Sequence, residues 1–168
     1  MIFYDKCNTN IGCLRFVFKE EGLLERIVLT DSYWHALVTK HTMKRNHKLG
    51  KPVCQQFQEY IHGDRKQIDV PYKLTGTPFQ KLAWEALRNI PYGKIRSYSE
   101  IATSIGKPKA IRAVGHANAV NPLPILIPCH RVIGKNNKMT GYAGGMDMKR
   151  RLLEIEDIKI AGGGTEYI

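Results

Sequence analysis

The chain has 168 residues, enough for one ordinary domain or two small ones. It carries 26 Lys and Arg against 15 Asp and Glu, a formal charge of +11, which suits a polyanionic partner; nucleic acid, an acidic lipid surface or plain solvation are all compatible with charge alone. No run approaches the ~20 apolar residues of a membrane span, and Met1 to Asn10 lacks the basic-then-apolar build of a secretory signal, so the expectation is a cytoplasmic protein.

In chain order, Ile11 to Phe18 and Leu23 to Leu29 are rich in apolar and β-branched residues and flank Lys19-Glu20-Glu21-Gly22, which predicts a hairpin. The stretch from His41 to Lys51 is polar and aperiodic and reads as a loop or frayed helix end. Val53, Phe57, Tyr60 and Ile61 recur at helical spacing before a stop at Gly63. This first half reads as scaffold.

Thr77, Pro78 and Gln80 make an N-cap, a first-turn proline and a capping box. Phe79, Leu82, Ala83, Ala86, Leu87 and Ile90 follow as an apolar stripe, closed by Pro91-Tyr92-Gly93. A second box, Ser97 with Glu100, opens a short helix over Ile101, Ala102 and Ile105 that stops at Gly106. Pro108 is the expected start of the next helix, whose Ala110, Ile111, Val114 and Ala117 form a core stripe. Two short helices across a glycine turn outline a helix-turn-helix, with Lys107, Lys109 and Arg112 near the start of the second, where such a unit meets DNA.

Ile125-Leu126-Ile127, bounded by prolines, reads as a buried extended segment leading to Cys129-His130. A glycine-rich loop over 134–145 contains Tyr142, and a last helix runs from about Met146 to Asp157. The tail with Gly162-Gly163-Gly164 is expected to be disordered. The spacing of Cys7, Cys13, Cys54 and Cys129 fits neither a disulfide framework nor a zinc site, so four free thiols and no metal are expected. A thiolate is a strong nucleophile but needs a base. In an extended chain His130 points away from Cys129, so contact requires a bend or a bridging water. A carboxylate behind the histidine would orient its ring; Glu156 and Glu154 are the candidates.

The string Pro122-Leu123-Pro124-Ile125-Leu126-Ile127-Pro128-Cys129-His130-Arg131-Val132-Ile133-Gly134 resembles the active-site signature of the O6-alkylguanine-DNA alkyltransferase family. So do Ser97-Tyr98, Arg112-Ala113-Val114-Gly115, Asn121, Tyr142-Ala143-Gly144-Gly145 and Leu152-Leu153-Glu154-Ile155-Glu156, in the right order. The resemblance implies an α+β protein of three parts. Residues 1–74 would form a small α/β, ribonuclease-H-like domain. Residues 75–158 would form a mainly helical DNA-binding and active-site domain with a winged-helix-like helix-turn-helix, and 159–168 a tail. It implies irreversible transfer of a methyl or other alkyl group from O6-alkylguanine in duplex DNA to Cys129 after base flipping, once per chain and without a cofactor, and it allows O4-alkylthymine as a second substrate.

By the same resemblance His130 is the base through water, Glu156 orients it, Tyr98 donates a proton and turns a phosphate, and Asn121 holds the local structure. Arg112 fills the gap left by the base. Tyr98, Lys107, Lys109, Ala113, Ala117 and Arg131 meet DNA, in the minor groove and largely without regard to sequence. Val132, Tyr142, Ala143, Gly144 and Pro124 line the substrate pocket, and the protein acts as a monomer. Two positions depart from the family: Ala143 stands where a small polar residue is frequent, and Ala119-Val120 where many members carry a basic residue or glycine. Three rivals are a lesion sensor lacking the cysteine, a regulator with an added metal-binding cysteine domain, and an unrelated cysteine hydrolase. The intact Cys129, the missing cysteine cluster and the basic helix-turn-helix argue against them in turn.

Overall fold

The structure, a computed structural model, describes residues 1–159 and divides the chain into two compact units, one over Met1–Thr75 and one starting at Gly76. The glycine tract 162–164 lies outside the described residues. Among the described residues no helix is long and apolar enough to cross a membrane.

The first unit is built on a four-stranded sheet in the order β3-β2-β1-β4, with β1 (Ile2–Thr9), β2 (Gly12–Phe18), β3 (Leu24–Val28) and β4 (Met43–Arg45). The hairpin of β2 and β3 forms as the apolar runs predict, with Phe16 opposite Ile27. Two strands were not anticipated. β1 pairs antiparallel with β2 and parallel with β4, so it is an interior strand although Asp5 and Lys6 interrupt its apolar residues. β4 falls within the stretch read as a loop; its three residues are strand because β1 offers its second edge. α1 (Asp31–Lys40) joins β3 to β4, and α2 (His47–Ile61) buries Val53, Phe57, Tyr60 and Ile61. Phe57 lies against Phe16 with ring centroids 5.0 Å apart.

The expectation of four free thiols is corrected here. Cys7 on β1 and Cys54 on α2 are joined in a disulfide across 47 positions, leaving Cys13 and Cys129 as the free cysteines. Fold geometry brings the pair together, and sequence spacing gives no sign of it.

The second unit opens with α3 (Pro78–Arg88), where Thr77 accepts from the Gln80 amide at 3.1 Å and Gln80 Oε1 accepts from the Thr77 amide at 3.0 Å. The predicted stripe is rotated: Leu82 is exposed, and Trp84 takes the buried position with Ala83 and Leu87. Trp84 is held there because its indole nitrogen donates to the Ala117 carbonyl at 2.8 Å. Thr77→Ala removes one half of the box and is expected to cost about 1 kcal/mol of stability, read as a lower urea midpoint at unchanged m-value.

α4 (Tyr98–Ser104) carries the Ser97–Glu100 box, and Gly106 turns the chain with φ 74°. The next helix, α5, spans Ile111–Ala119, so Pro108 lies in the preceding turn rather than at its start, and Ile111 is exposed. A two-residue parallel pair, β5 (Arg96–Ser97) with β6 (Val132–Ile133), sets the start of α4 beside the segment that follows Cys129. α6 (Met146–Ile155) closes the unit, burying Met148, Lys149, Leu152 and Leu153.

Candidate active site

Residues 121–130 are all buried. Ile125-Leu126-Ile127 is buried as expected but is not extended: Pro124 bridges to Ile127, and Ile125 has φ 75°, a region that β-branched residues rarely enter. Asn121 holds this tight loop from inside, accepting from the Leu123 amide at 3.0 Å and donating to the Ile127 carbonyl at 2.8 Å. Arg88 donates to the Leu126 carbonyl at 3.0 Å. The loop hands the chain to a single 3-10 turn, Cys129–Arg131, closed by the Arg131 amide donating to Pro128.

Cys129 is 3% exposed, and burial pushes its thiol up to about 11, against the opposing pull of the Asn121 hydrogen bond and the Lys149 ammonium. In the resting protein the sulfur is therefore a thiol and needs a base. His130 is fully buried, and its Nε2 lies 2.7 Å from Glu156 Oε2. Burial lowers the imidazole pKa against the pull of the carboxylate, so the ring is uncharged at neutral pH. A neutral ring facing a carboxylate through Nε2 carries its hydrogen there, which makes Nδ1 the basic nitrogen.

Glu156 is the centre of a second layer. Its carboxylate accepts from His130, from Arg131 Nε at 2.8 Å and Nη2 at 3.0 Å, and from the Gly93 amide at 3.0 Å. Burial works to raise its pKa, but the hydrogen bonds and charges around it hold it down at about 2. His130 is the first of the groups that hold it down, and the Arg131 guanidinium adds two hydrogen bonds and a fixed positive charge. Of the two candidates, Glu156 is turned inward and Glu154 is exposed.

Tyr98 begins α4, and its hydroxyl lies 2.6 Å from Thr140 Oγ1. Burial raises its pKa, as does charge on Cys129, against the Thr140 hydrogen bond. Lys149 was missed by the sequence reading. It is 0% exposed and donates to the Val132 carbonyl at 2.9 Å and to the Thr140 carbonyl at 3.2 Å. A signal existed: Lys149, Leu152, Leu153 and Glu156 stand at helical spacing, so a lysine sits on the buried stripe of α6.

The remaining expected residues fall in two groups. Arg112 and Ala113 are exposed on α5, with Lys107 and Lys109 exposed in the turn before it. Arg131 and Ala117 are corrections to the expected DNA-contacting set. Arg131 is 7% exposed, donates to Glu156 and to the Ile90 carbonyl at 2.7 Å, and lies over the Tyr92 ring, so its charge is spent inside the unit. Ala117 is fully buried beneath Trp84. Of the expected pocket residues, Val132 and Pro124 are buried, Tyr142 and Gly144 half-buried and Ala143 exposed. A separate groove of about 690 Å³ between α3 and α4 is lined by Leu82, Ala86, Ile101 and Ile105 among others and by none of the residues around Cys129.

Residues 78–158 match the family described as 6-O-methylguanine DNA methyltransferase, DNA binding domain. The chain is 45% identical over 163 residues to the constitutive methylated-DNA–protein-cysteine methyltransferase of Bacillus subtilis, covering 94% of this chain and 97% of that one. It is 51% identical to the enzyme of the same name from Methanosarcina acetivorans, over 92% of this chain and 98% of that one. Its fold matches the crystal structure of Mycobacterium tuberculosis O6-methylguanine methyltransferase with a TM-score of 0.82 at 41% identity, covering 93% of both chains. It also matches Mycobacterium tuberculosis OGT solved in complex with DNA, again at 0.82, with 39% identity and 92% of both chains covered.

Proposed function

The chain belongs to the methylated-DNA–protein-cysteine methyltransferase family, and from that premise we propose that Cys129 is the residue that takes the alkyl group. The activity is DNA repair: an alkyl group passes from DNA to a cysteine of the protein. The observation that carries the assignment to Cys129 is the buried line His130–Glu156–Arg131 beginning one residue after it.

The lesion is O6-alkylguanine in a duplex, flipped out of the stack to reach the buried sulfur. Arg112, exposed near the start of α5, fills the space the base leaves; its planar guanidinium can stack and hydrogen-bond there. Val132, Tyr142, Ala143, Gly144 and Pro124 surround the guanine. His130 Nδ1 takes the thiol proton through a water, and Glu156 stabilises the imidazolium that results. Sulfur attacks the alkyl carbon, the carbon–O6 bond breaks, and the electron pair leaves on the guanine. A proton from Tyr98 to ring N3 neutralises that charge. The product is a thioether that no group here cleaves, so each chain acts once.

In fold terms, we read the first unit as ribonuclease-H-like, supported by an antiparallel β3-β2-β1 set extended by a parallel β4. The second is winged-helix-like, with α4 and α5 as its helix-turn-helix. It approaches the minor groove as a monomer, supported by the small exposed Ala113 beside Arg112.

Two measurements test this reading. Nucleoside analysis of a duplex with one O6-methylguanine is expected to show guanine restored mole for mole with protein; continued turnover beyond one equivalent would overturn it. Affinity for undamaged duplex is expected to fall steeply with salt. Replacing both Lys107 and Lys109 by alanine should reduce the log–log slope by about 2. An unchanged slope removes these lysines from the interface.

A further inference from the structure

Lys149 is a fully buried cation whose ammonium donates to oxygens of Val132 and Thr140, and the transfer chemistry so far gives it no work. Its ammonium donates to Thr140 Oγ1 at 3.4 Å, in addition to two carbonyls, and the same Oγ1 lies 2.6 Å from the Tyr98 hydroxyl. A hydrogen-bonded line therefore runs from α6 through Thr140 to α4 and ends on the group that would protonate the leaving guanine. We propose that Lys149 is the proton reservoir of Tyr98, reached through the Thr140 hydroxyl. The proposal rests on the reading of Tyr98 as the proton donor to guanine N3.

The direction of the line follows from donor inventory. A lysine ammonium has only hydrogens to give, so Thr140 Oγ1 accepts from Lys149. The threonine hydrogen can then go to the Tyr98 oxygen, which leaves the phenol hydrogen for the base. When Tyr98 gives its proton to N3, Thr140 gives one to Tyr98 and Lys149 gives one to Thr140. The sulfur's proton has meanwhile gone to His130. Each bond to hydrogen broken is matched by one made, and the site ends with an imidazolium and a neutral amine in place of a neutral imidazole and an ammonium. Net charge in the protein is unchanged apart from the transferred alkyl group, and no buried tyrosinate persists.

Two electrostatic facts favour the relay. Burial and the Cys129 charge both oppose a tyrosinate at Tyr98, so the residue is a poor acid unless its proton is replaced as it leaves. Burial brings Lys149 down to about 8, and charge on Cys129 favours its ammonium form. That stabilisation disappears when the sulfur becomes a neutral thioether, so Lys149 becomes the better acid as the alkyl group arrives. The titratable groups facing Lys149 are Cys129 and His130 of the 3-10 turn, with Tyr98 reached through Thr140; Glu156, on its own helix side, is engaged by Arg131.

The test is a double-mutant cycle on the single-turnover transfer rate, measured across pH 6 to 10. Thr140→Val is expected to slow transfer about tenfold, and Thr140→Ser, which keeps the hydroxyl, to restore it. In a Tyr98→Phe background, Thr140→Val should cost nothing more. The wild-type rate should decline as pH rises through about 8, where Lys149 loses its proton, and that limb should vanish in Thr140→Val. A wild-type rate in Thr140→Val, or an equal loss in both backgrounds, would overturn the relay while leaving Tyr98 as donor. An unchanged rate in Tyr98→Phe alone would instead remove the donor reading on which the relay rests.

Discussion

Replacing Cys129 by serine is expected to lower alkyl transfer on the order of 10⁴-fold or more, while binding to undamaged duplex stays at the wild-type level. The substitution changes one atom in a fully packed place. Asn121 still pins the loop through Leu123 and Ile127, and the 3-10 turn is closed by backbone groups, so the fold has no reason to shift. What changes is nucleophilicity. His130 can draw a proton from a thiol near 11, but an alcohol is far less acidic, and oxygen is a poor nucleophile toward a saturated carbon. The exposed cations on α5 and its preceding turn, which we propose meet DNA, are untouched. Fluorescence anisotropy and a single-turnover assay on the same preparation separate the two effects. Residual transfer within tenfold of wild type would move the acceptor to another residue.

The second large effect is at Glu156. Glu156→Gln leaves the Arg131 guanidinium buried with no counter-charge, although it keeps its hydrogen bond to the Ile90 carbonyl and its place over the Tyr92 ring. Breaking a buried pair from one side costs about 3–5 kcal/mol, and for a chain of this size that lowers the melting midpoint by roughly 10 °C. The pH dependence has a definite sign. The folded carboxyl titrates at about 2 against its ordinary 4.5, so its contribution is fully present above 4.5 and is lost as pH falls toward 2. The stability gap between wild type and Glu156→Gln should therefore be constant from neutral pH down to about 5 and close below it. A gap that persists unchanged at pH 2.5 would mean that the carboxylate charge is not what matters. Transfer should fall as well, since the variant no longer stabilises the imidazolium.

Local chemistry made much of this protein legible from its residues. The boxes at Thr77–Gln80 and Ser97–Glu100, the hairpin over 12–28 and the α2 stripe are all written within a few positions of where they act. What the residues did not reveal is long-range. β4 is a strand because it pairs with β1 across some forty residues, and the Cys7–Cys54 link has a similar origin. In the site, Cys129, His130 and Glu156 could be picked out from the string. Arg131 could not be placed: the resemblance put it among the residues that meet DNA, whereas a carboxylate 25 positions away turns it inward. Lys149 and Thr140 escaped for a related reason. Thr140 is ordinary in sequence and Lys149 shows there only as a cation on an apolar stripe; the fold puts Lys149 beneath Val132 and Thr140 against Tyr98.

The central claim is that Cys129 takes the alkyl group, once. Peptide mass spectrometry after mixing the protein with a duplex containing a single O6-methylguanine tests it most directly. The expected result is a Cys129 peptide heavier by one methylene, rising to one modification per chain and no further, with the peptides of Cys7, Cys13 and Cys54 unchanged. A methylated peptide elsewhere, or an unmodified Cys129 in protein that still binds the lesion, would contradict it.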